Sequence, residues 1–327
     1  MSTKTQSYAA ALVDALHDSL RDDGRVSIIG GYVLGLGPQR HLMDRIRKDF
    51  PDRVFDPPTS EAGFAAVGAG AAMAGMRPFV DLGTAAFSLL AFSQLTNEAA
   101  VARYMSGGTL AAPVTYHMLH GVRGGGAPQH SVSPQAMLWN APGLEIVAPS
   151  TAADAYGLVR TALASPNPTV IVSHAKLLGL ETPMPEIRSP IPFGRADVKR
   201  RGRDVTVVGT SFLVHTCLTA ADRLAEEGID IEVVDPRTLA PLDEATILDS
   251  VTRTGRLVVV DECPPRCGVA SEIAATVAER GFEALKAPIQ RVTRADAPVA
   301  YSPPLEAFVT PDVDKIIAAV RRILGGR

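Results

Sequence analysis

Short apolar runs alternate with segments of helical period along the whole chain, and this alternation limits the fold more than any other feature. Val26–Ile29, Phe79–Leu82, Pro113–His117, Leu144–Val147 and Thr169–Val172 read as strands in the first half. Asp204–Val208, Ile231–Val234, Leu257–Asp261 and Ile289–Val292 read the same way in the second. Between them lie helical patterns: Tyr8, Leu12, Ala15, Leu16 and Leu20 recur on one face, and further helices are expected over 87–105, 151–163, 213–227, 243–251, 269–280 and 311–324. Ser106-Gly107-Gly108 is the expected stop of the helix over 87–105. Strands that alternate with helices are buried most simply as a parallel sheet covered on both faces. A chain of 327 residues exceeds a comfortable single core. The rhythm lapses from His174 to Pro192, a stretch with four prolines, which reads as a linker. The expectation is therefore an α/β protein of two doubly wound domains, residues 1–185 and 186–327.

Composition excludes several function classes. With 46% hydrophobic and 20% charged residues the chain is ordinary for a globular protein, and a net charge of −3 gives no basic footprint for nucleic acid or an anionic membrane. The longest apolar run, Ala62 to Met76, is too short and too rich in glycine to span a bilayer. The opening residues lack the apolar core of a signal peptide, which makes the cytoplasm the expected compartment. Cys217, Cys263 and Cys267 form neither a disulfide framework nor a zinc spacing, so no metal ligands are assigned and buried or idle thiols are expected. No P-loop, Gly-x-Gly-x-x-Gly, zinc-protease helix or Gly-x-Ser-x-Gly elbow is present.

Glu61 stands between Pro57-Pro58, which keep the chain extended and block an earlier helix start, and a helix made almost wholly of small residues. Thr59 and Ser60 can cap that helix, and an acid in its first turn suits the helix dipole. Its glycines cost roughly 1 kcal/mol each relative to alanine, so close approach by another backbone or a ligand is the expected return. These residues alone read as a capped helix packed on a neighbour, with a catalytic glutamate as the alternative. Gly30-Gly31 closes the first buried strand, where α/β proteins place ligands. His130 follows the flexible Gly124 to Gly126 loop, with His117 and His120 upstream; it reads as a surface residue or as a proton-transfer group. Arg266 with Asp261 and Glu262 reads as an ion pair, and Asp235-Pro236-Arg237 as a turn.

Four ordered stretches carry a resemblance: Arg53-Val54-Phe55-Asp56-x-Pro-x-Ser60-Glu61-x-Gly63-Phe64, then Ala72-Met73-Ala74-Gly75-x-Arg77-Pro78, then Arg103-Tyr104-Met105-Ser106-Gly107-Gly108, then Gln129-His130-Ser131. With Val233 to Asp243 and Tyr301 to Glu306, they make the chain resemble the β subunit of thiamine-diphosphate-dependent E1 components. These are the pyruvate, branched-chain 2-oxoacid and acetoin dehydrogenases. Val260 to Cys267 most resembles the acetoin dehydrogenase branch. The resemblance implies a pyrimidine-binding transketolase-like domain followed by a transketolase C-terminal-type domain. It makes Glu61 the cofactor-activating glutamate, Phe87 the ring that stacks on the pyrimidine, and His130 a substrate-side histidine. His117 and His120 match no motif of the family, and the cleft of His130 is where they are expected.

The resemblance also implies what lies elsewhere. The Gly-Asp-Gly motif that holds Mg2+ and the diphosphate is absent, so an α subunit carrying it is expected, in an α2β2 heterotetramer, with a lipoyl E2 as acyl acceptor. Some positions depart from the family. Gly31-Tyr32 lacks the usual acid, Val132 follows His130-Ser131 where glutamine is usual, and Ser173 stands for a glutamate. Ser165-Pro166-Asn167-Pro168 lacks the aspartate of the turn near which the family binds K+. Three readings result: an E1 subunit acting on a 2-oxoacid or an acyloin, a two-subunit carboligase without E2, and a non-catalytic assembly subunit. Retention of Glu61, Phe87 and His130 together argues against the third.

Overall fold

The computed structural model describes residues 4–30 and 37–325. Gly31 and Tyr32, with their missing acid, lie outside these residues. Two compact units emerge: Met1–His120 with Met137–Phe193, and Gly121–Ala136 with Gly194–Arg327. The chain passes between them at residues 193 and 194. Residues 121–136, embedded in the sequence of the first unit, fold with the second.

In the first unit, strand β1 (Thr5–Ser7) leads into helix α1 (Tyr8–Asp22). Ser7 fixes the start of that helix, its hydroxyl accepting from the Ala10 amide at 3.3 Å. Tyr8, Leu12, Leu16 and Leu20 are buried along one face, as their spacing predicts. Each such leucine contributes about 1.5–3 kcal/mol by leaving water. Strands β2 (Val26–Ile29), β3 (Val54–Phe55), β4 (Arg77–Thr84), β5 (Thr115–His120), β6 (Glu145–Val147) and β7 (Thr169–His174) lie side by side in the order β6-β7-β5-β4-β2-β3. Every neighbouring pair among them is parallel. Helix α2 (Glu61–Met73) lies on β4, and helix α3 (Ala152–Ala164), opened by a Thr151/Asp154 capping box, packs on α1.

Two expectations for this unit change. The presumed linker contains strand β8 (Glu181–Pro183), paired antiparallel with β1, so much of it is structured. The single helix expected over 87–105 is three kinds of helix: a 3₁₀ turn at Ala85–Ala91, a π-helical stretch at Gln94–Ala99 and an α-turn at Ala102–Met105. The wide turn shows in the Ala100 amide, which donates to Leu95 O five residues back. Each change of winding rotates the apolar face. Leu95 is buried, whereas Leu89 and Leu90 are 45% and 65% exposed. The glycine stop is as expected, with Gly107 and Gly108 both at positive φ and their amides donating to Tyr104 O and Arg103 O.

In the second unit, strands β9 (Asp197–Arg200), β10 (Val205–Gly209), β11 (Ile231–Asp235), β13 (Leu257–Asp261) and β14 (Gln290–Thr293) form a sheet of order β14-β13-β10-β11-β9; the short β12 is Thr238–Ala240. The edge strand β9 is antiparallel to β11 and the other pairs are parallel. Alternation along the strands gives each face its cover. Val205, Val207, Ile231, Val233, Val258 and Val260 pack with helices α4 (Leu213–Glu226) and α8 (Val313–Ile323). Thr206 turns the other way and its hydroxyl bonds Ser250 and Thr254 of helix α5 (Glu244–Thr254). Helix α6 (Val269–Arg280) packs beside α5, and α7 (Pro303–Val309) precedes α8. No helix among the described residues is long and apolar enough to cross a membrane.

Candidate active site

Glu61 is the first residue of α2. The preceding Ser60 is extended (φ −161°, ψ 100°), and its hydroxyl accepts from the Gly63 amide at 3.2 Å. The cap and the prolines before it fix where the helix begins, and so where the carboxyl group emerges. Glu61 is half-buried. Helix α2 packs against the 3₁₀ turn Ala85–Ala91 that follows β4 directly, and this turn carries the half-buried Phe87. The two residues therefore sit on packed neighbours within the first unit. His130 belongs to the second unit: it ends the short helix Ala127–His130 and is exposed.

One face of α2 borders an apolar groove of about 540 Å³ lined by Phe55, Pro57, Ser60, Gly63, Phe64 and Val67, among others. Ser60, Gly63, Phe64 and Val67 follow the helical repeat, and Glu61 falls off that face. At Gly30, which closes β2 with φ +94°, a Cβ would meet Asp81 O at 2.6 Å, so the strand end admits only glycine.

His117 and His120 are not in a cleft; both are buried in β5. His117 Nε2 lies 3.0 Å from Ser173 Oγ, which lies 2.7 Å from the Tyr8 hydroxyl. On its other side, His117 Nδ1 is 3.5 Å from Asp81 Oδ1. Burial pushes the Tyr8 phenol well above its usual range, so this chain of polar groups holds a neutral tyrosine. Ser173 is thus a hydroxyl engaged by partners from α1 and β5. Sequence reading missed Tyr8 and Asp81; the one available signal was an acid inside the apolar run of β4.

The loop of His130 has its own frame, which the sequence reading also missed. Glu306 accepts from the Gly124 amide at 3.0 Å and the Gly125 amide at 2.9 Å, and Glu262 accepts from the Val122 amide at 2.5 Å. Arg294 donates to Ser131 O at 3.2 Å, and the Cys263 thiol to Ser133 O at 3.4 Å. Burial, with Asp261 nearby, pushes the Cys263 thiol pKa up, so it stays protonated as a donor. Arg266 pairs with Asp296 at 2.7 Å rather than with Asp261 or Glu262. Asp261 is buried and takes bonds from Thr210 and the Cys263 amide. Asp235-Pro236-Arg237 is the turn expected, with Arg237 at φ +58° and its amide donating to Asp235 Oδ1. Cys217 and Cys263 are buried and Cys267 is exposed.

At the turn of residues 165–168, the Glu145 carboxylate receives Ser165 Oγ (2.7 Å), Asn167 Nδ2 (3.0 Å) and Thr169 Oγ1 (2.9 Å). Arg77 Nη1 donates to the carbonyls of Leu163 (3.0 Å) and Ser165 (2.8 Å). These bonds tie the turn to the starts of β6 and β4.

The family comparisons agree with this architecture. Residues 4–180 match the transketolase pyrimidine-binding domain and residues 194–316 the transketolase C-terminal domain. The chain is 44% identical over 275 residues to the acetoin:2,6-dichlorophenolindophenol oxidoreductase subunit beta of Cupriavidus necator, covering 84% of this chain and 81% of that protein. It is 38% identical to the protein of the same name from Bacillus subtilis, covering 98% and 97%. It is also 38% identical to the mitochondrial pyruvate dehydrogenase E1 component subunit beta-1 of Arabidopsis thaliana, covering 98% and 89%. A solved split-gene transketolase, described as an inactive β4 tetramer, superposes with a TM-score of 0.80 at 25% identity, covering 98% of this chain and 99% of the other. With both domain models matched in order and relatives aligned over most of their length, this chain belongs to the family of β subunits of thiamine-diphosphate-dependent E1 components.

Proposed function

We propose that this chain supplies the pyrimidine-facing half of a thiamine-diphosphate site and acts, with an α-type partner, on an acyloin such as acetoin or on a 2-oxoacid. The placement of Glu61 carries the reading: a half-buried acid, fixed by the Ser60 cap at the start of α2, on a helix packed against the turn of Phe87. A carboxyl and an aromatic ring on neighbouring segments fit the edge and the face of an aminopyrimidine. Thiamine diphosphate, when bound, supplies the carbon nucleophile and the sink for the electron pair released beside a carbonyl. Glu61 holds and exchanges a proton at the pyrimidine N1′, and Phe87 stacks on that ring. His130 delivers a proton to the carbonyl-derived oxygen of the substrate. The diphosphate and Mg2+ fall to the α partner, because Gly-Asp-Gly is absent here. The relatives from C. necator and B. subtilis favour acetoin; in this reading a lipoyl E2 is the acyl acceptor.

Ser173 supports a second reading, in which the activated aldehyde passes to a carbonyl acceptor without E2. The glutamate usual at that place is a hydroxyl already bonded to Tyr8 and His117. One assay separates the readings. The chain is co-purified with its α partner, supplied with cofactor and Mg2+, and given acetoin or 2-oxoacids with an artificial electron acceptor or with an aldehyde. Oxidation supports the first, and a new acyloin product without oxidation the second. In the same complex Glu61→Gln lowers kcat by roughly 10²–10⁴-fold. Turnover near wild type removes Glu61 from its role.

A further inference from the structure

We infer that Glu306 and Glu262 are positioning residues for His130, holding the loop of residues 121–136 through its backbone amides. The inference rests on the reading of His130 given above. Gly124 and Gly125 both have positive φ (+83° and +74°), and their successive amides converge on the two oxygens of a single carboxylate, that of Glu306. Glu262 holds the loop at its start through Val122, and Arg294 holds it just past His130 through Ser131 O. The holding groups come from the end of β13, the end of β14 and helix α7, so separate elements of the second unit set the loop.

Both glutamates are buried, Glu262 at 3% and Glu306 at 7% exposure. A carboxylate is an acceptor only, and a buried one needs donors. Here backbone amides are those donors, so the bonds order the loop as much as they satisfy the acids. The constraint reaches His130 through Gly126. The His130 amide donates to Gly126 O at 3.2 Å, and a Cβ on Gly126 would meet Ser131 Oγ at 2.7 Å and His130 Cβ at 3.3 Å. Glycines 124 and 125, turned by Glu306, therefore lead directly into the Gly126–His130 backbone bond that helps to seat the histidine. A displacement of about 1 Å in such a group is enough to cost ~10²-fold in rate.

The test uses the α–β complex with Glu306→Gln, His130→Ala and the double substitution. Glutamine keeps the size of the side chain but turns an amide N–H2 towards one of two backbone donors. Hydrogen exchange at Gly124 and Gly125 should accelerate roughly tenfold or more, as one bond is lost. In otherwise wild-type protein kcat should fall by about 10–100-fold with KM little changed. In the His130→Ala background, Glu306→Gln should lower kcat no further, because both act through one group. Glu262→Gln, at the start of the loop, should show the same non-additivity and serves if Glu306→Gln fails to fold. Unchanged exchange at the loop amides overturns the holding role. Equal loss of kcat with and without His130 overturns the positioning role while leaving the function of His130 intact. Wild-type turnover in His130→Ala overturns the reading of His130, and the positioning role with it.

Discussion

Asp261 is the acid at the end of β13, with no solvent exposure. Burial raises its pKa above the ordinary 3.8, and the bonds from Thr210 and the Cys263 amide only partly oppose this. The folded state therefore binds a proton more readily than the unfolded chain, and stability falls as pH rises from 3.8 through the raised value. Asp261→Asn keeps an acceptor for the Cys263 amide and removes the titration. Urea midpoints measured from pH 4 to 8 should decline with pH in the wild type and decline less in the variant; parallel slopes would contradict the assignment. At this scale the sequence was legible wherever a residue's neighbours in space are also its neighbours in sequence. Ser60 and Glu61 were readable as a cap and a first-turn acid for that reason. Tyr8 and Ser173 were not, since 165 positions separate the two groups joined by this hydrogen bond. The expected pairing of Arg266 with adjacent acids failed for the converse reason: Asp261 and Glu262 turn inward to buried donors, which leaves Arg266 to Asp296.

Helix α2 shows how composition alone leaves a question that packing answers. Its glycines look interchangeable in sequence. A Cβ on Gly68 would come within 2.4 Å of Val80 Cγ2, whereas one on Gly70 would meet nothing within 4 Å. Gly68→Ala should thus destabilise the chain by about 1–3 kcal/mol through overpacking against β4. Gly70→Ala should stabilise the isolated chain by up to about 1 kcal/mol through helix propensity. Denaturation midpoints of the two variants should move in opposite directions. The segment after β4 taught a different lesson. Apolar spacing correctly announced a helical stretch over 87–105, but it assumes one winding throughout. A 3₁₀ turn followed by a π turn shifts the phase, leaving Leu89 and Leu90 outside and Leu95 inside.

The alternation of strands and helices was enough to read both doubly wound sheets, because parallel strands buried on both faces leave a strong apolar signal. It could not reveal that residues 121–136 fold with the second unit. Nothing local marks a loop whose holding acids, Glu262 and Glu306, lie 140 and 182 positions from the amides they bind. Membership in a unit has a measurable form. Val207→Ala, in the core of the second unit, should speed hydrogen exchange at Gly124 and Gly125. Leu12→Ala, in the core of the first, should leave these amides slower to respond than those of β5. The reverse ranking would assign the loop to the first unit.

The loop also has a history imposed by the direction of translation. Gly124 leaves the ribosome 182 residues ahead of the glutamate that will hold it. At the usual pace of ~5–20 residues per second that delay is roughly 10–35 s. Throughout it the strands on either side can pair while the segment between them waits, the amides of Gly124 and Gly125 open to water, chaperones or proteases. A ribosome that stalls anywhere before residue 262 releases a chain with that segment still unanchored. Quality control could therefore recognise an unfinished copy at a place far from where synthesis stopped.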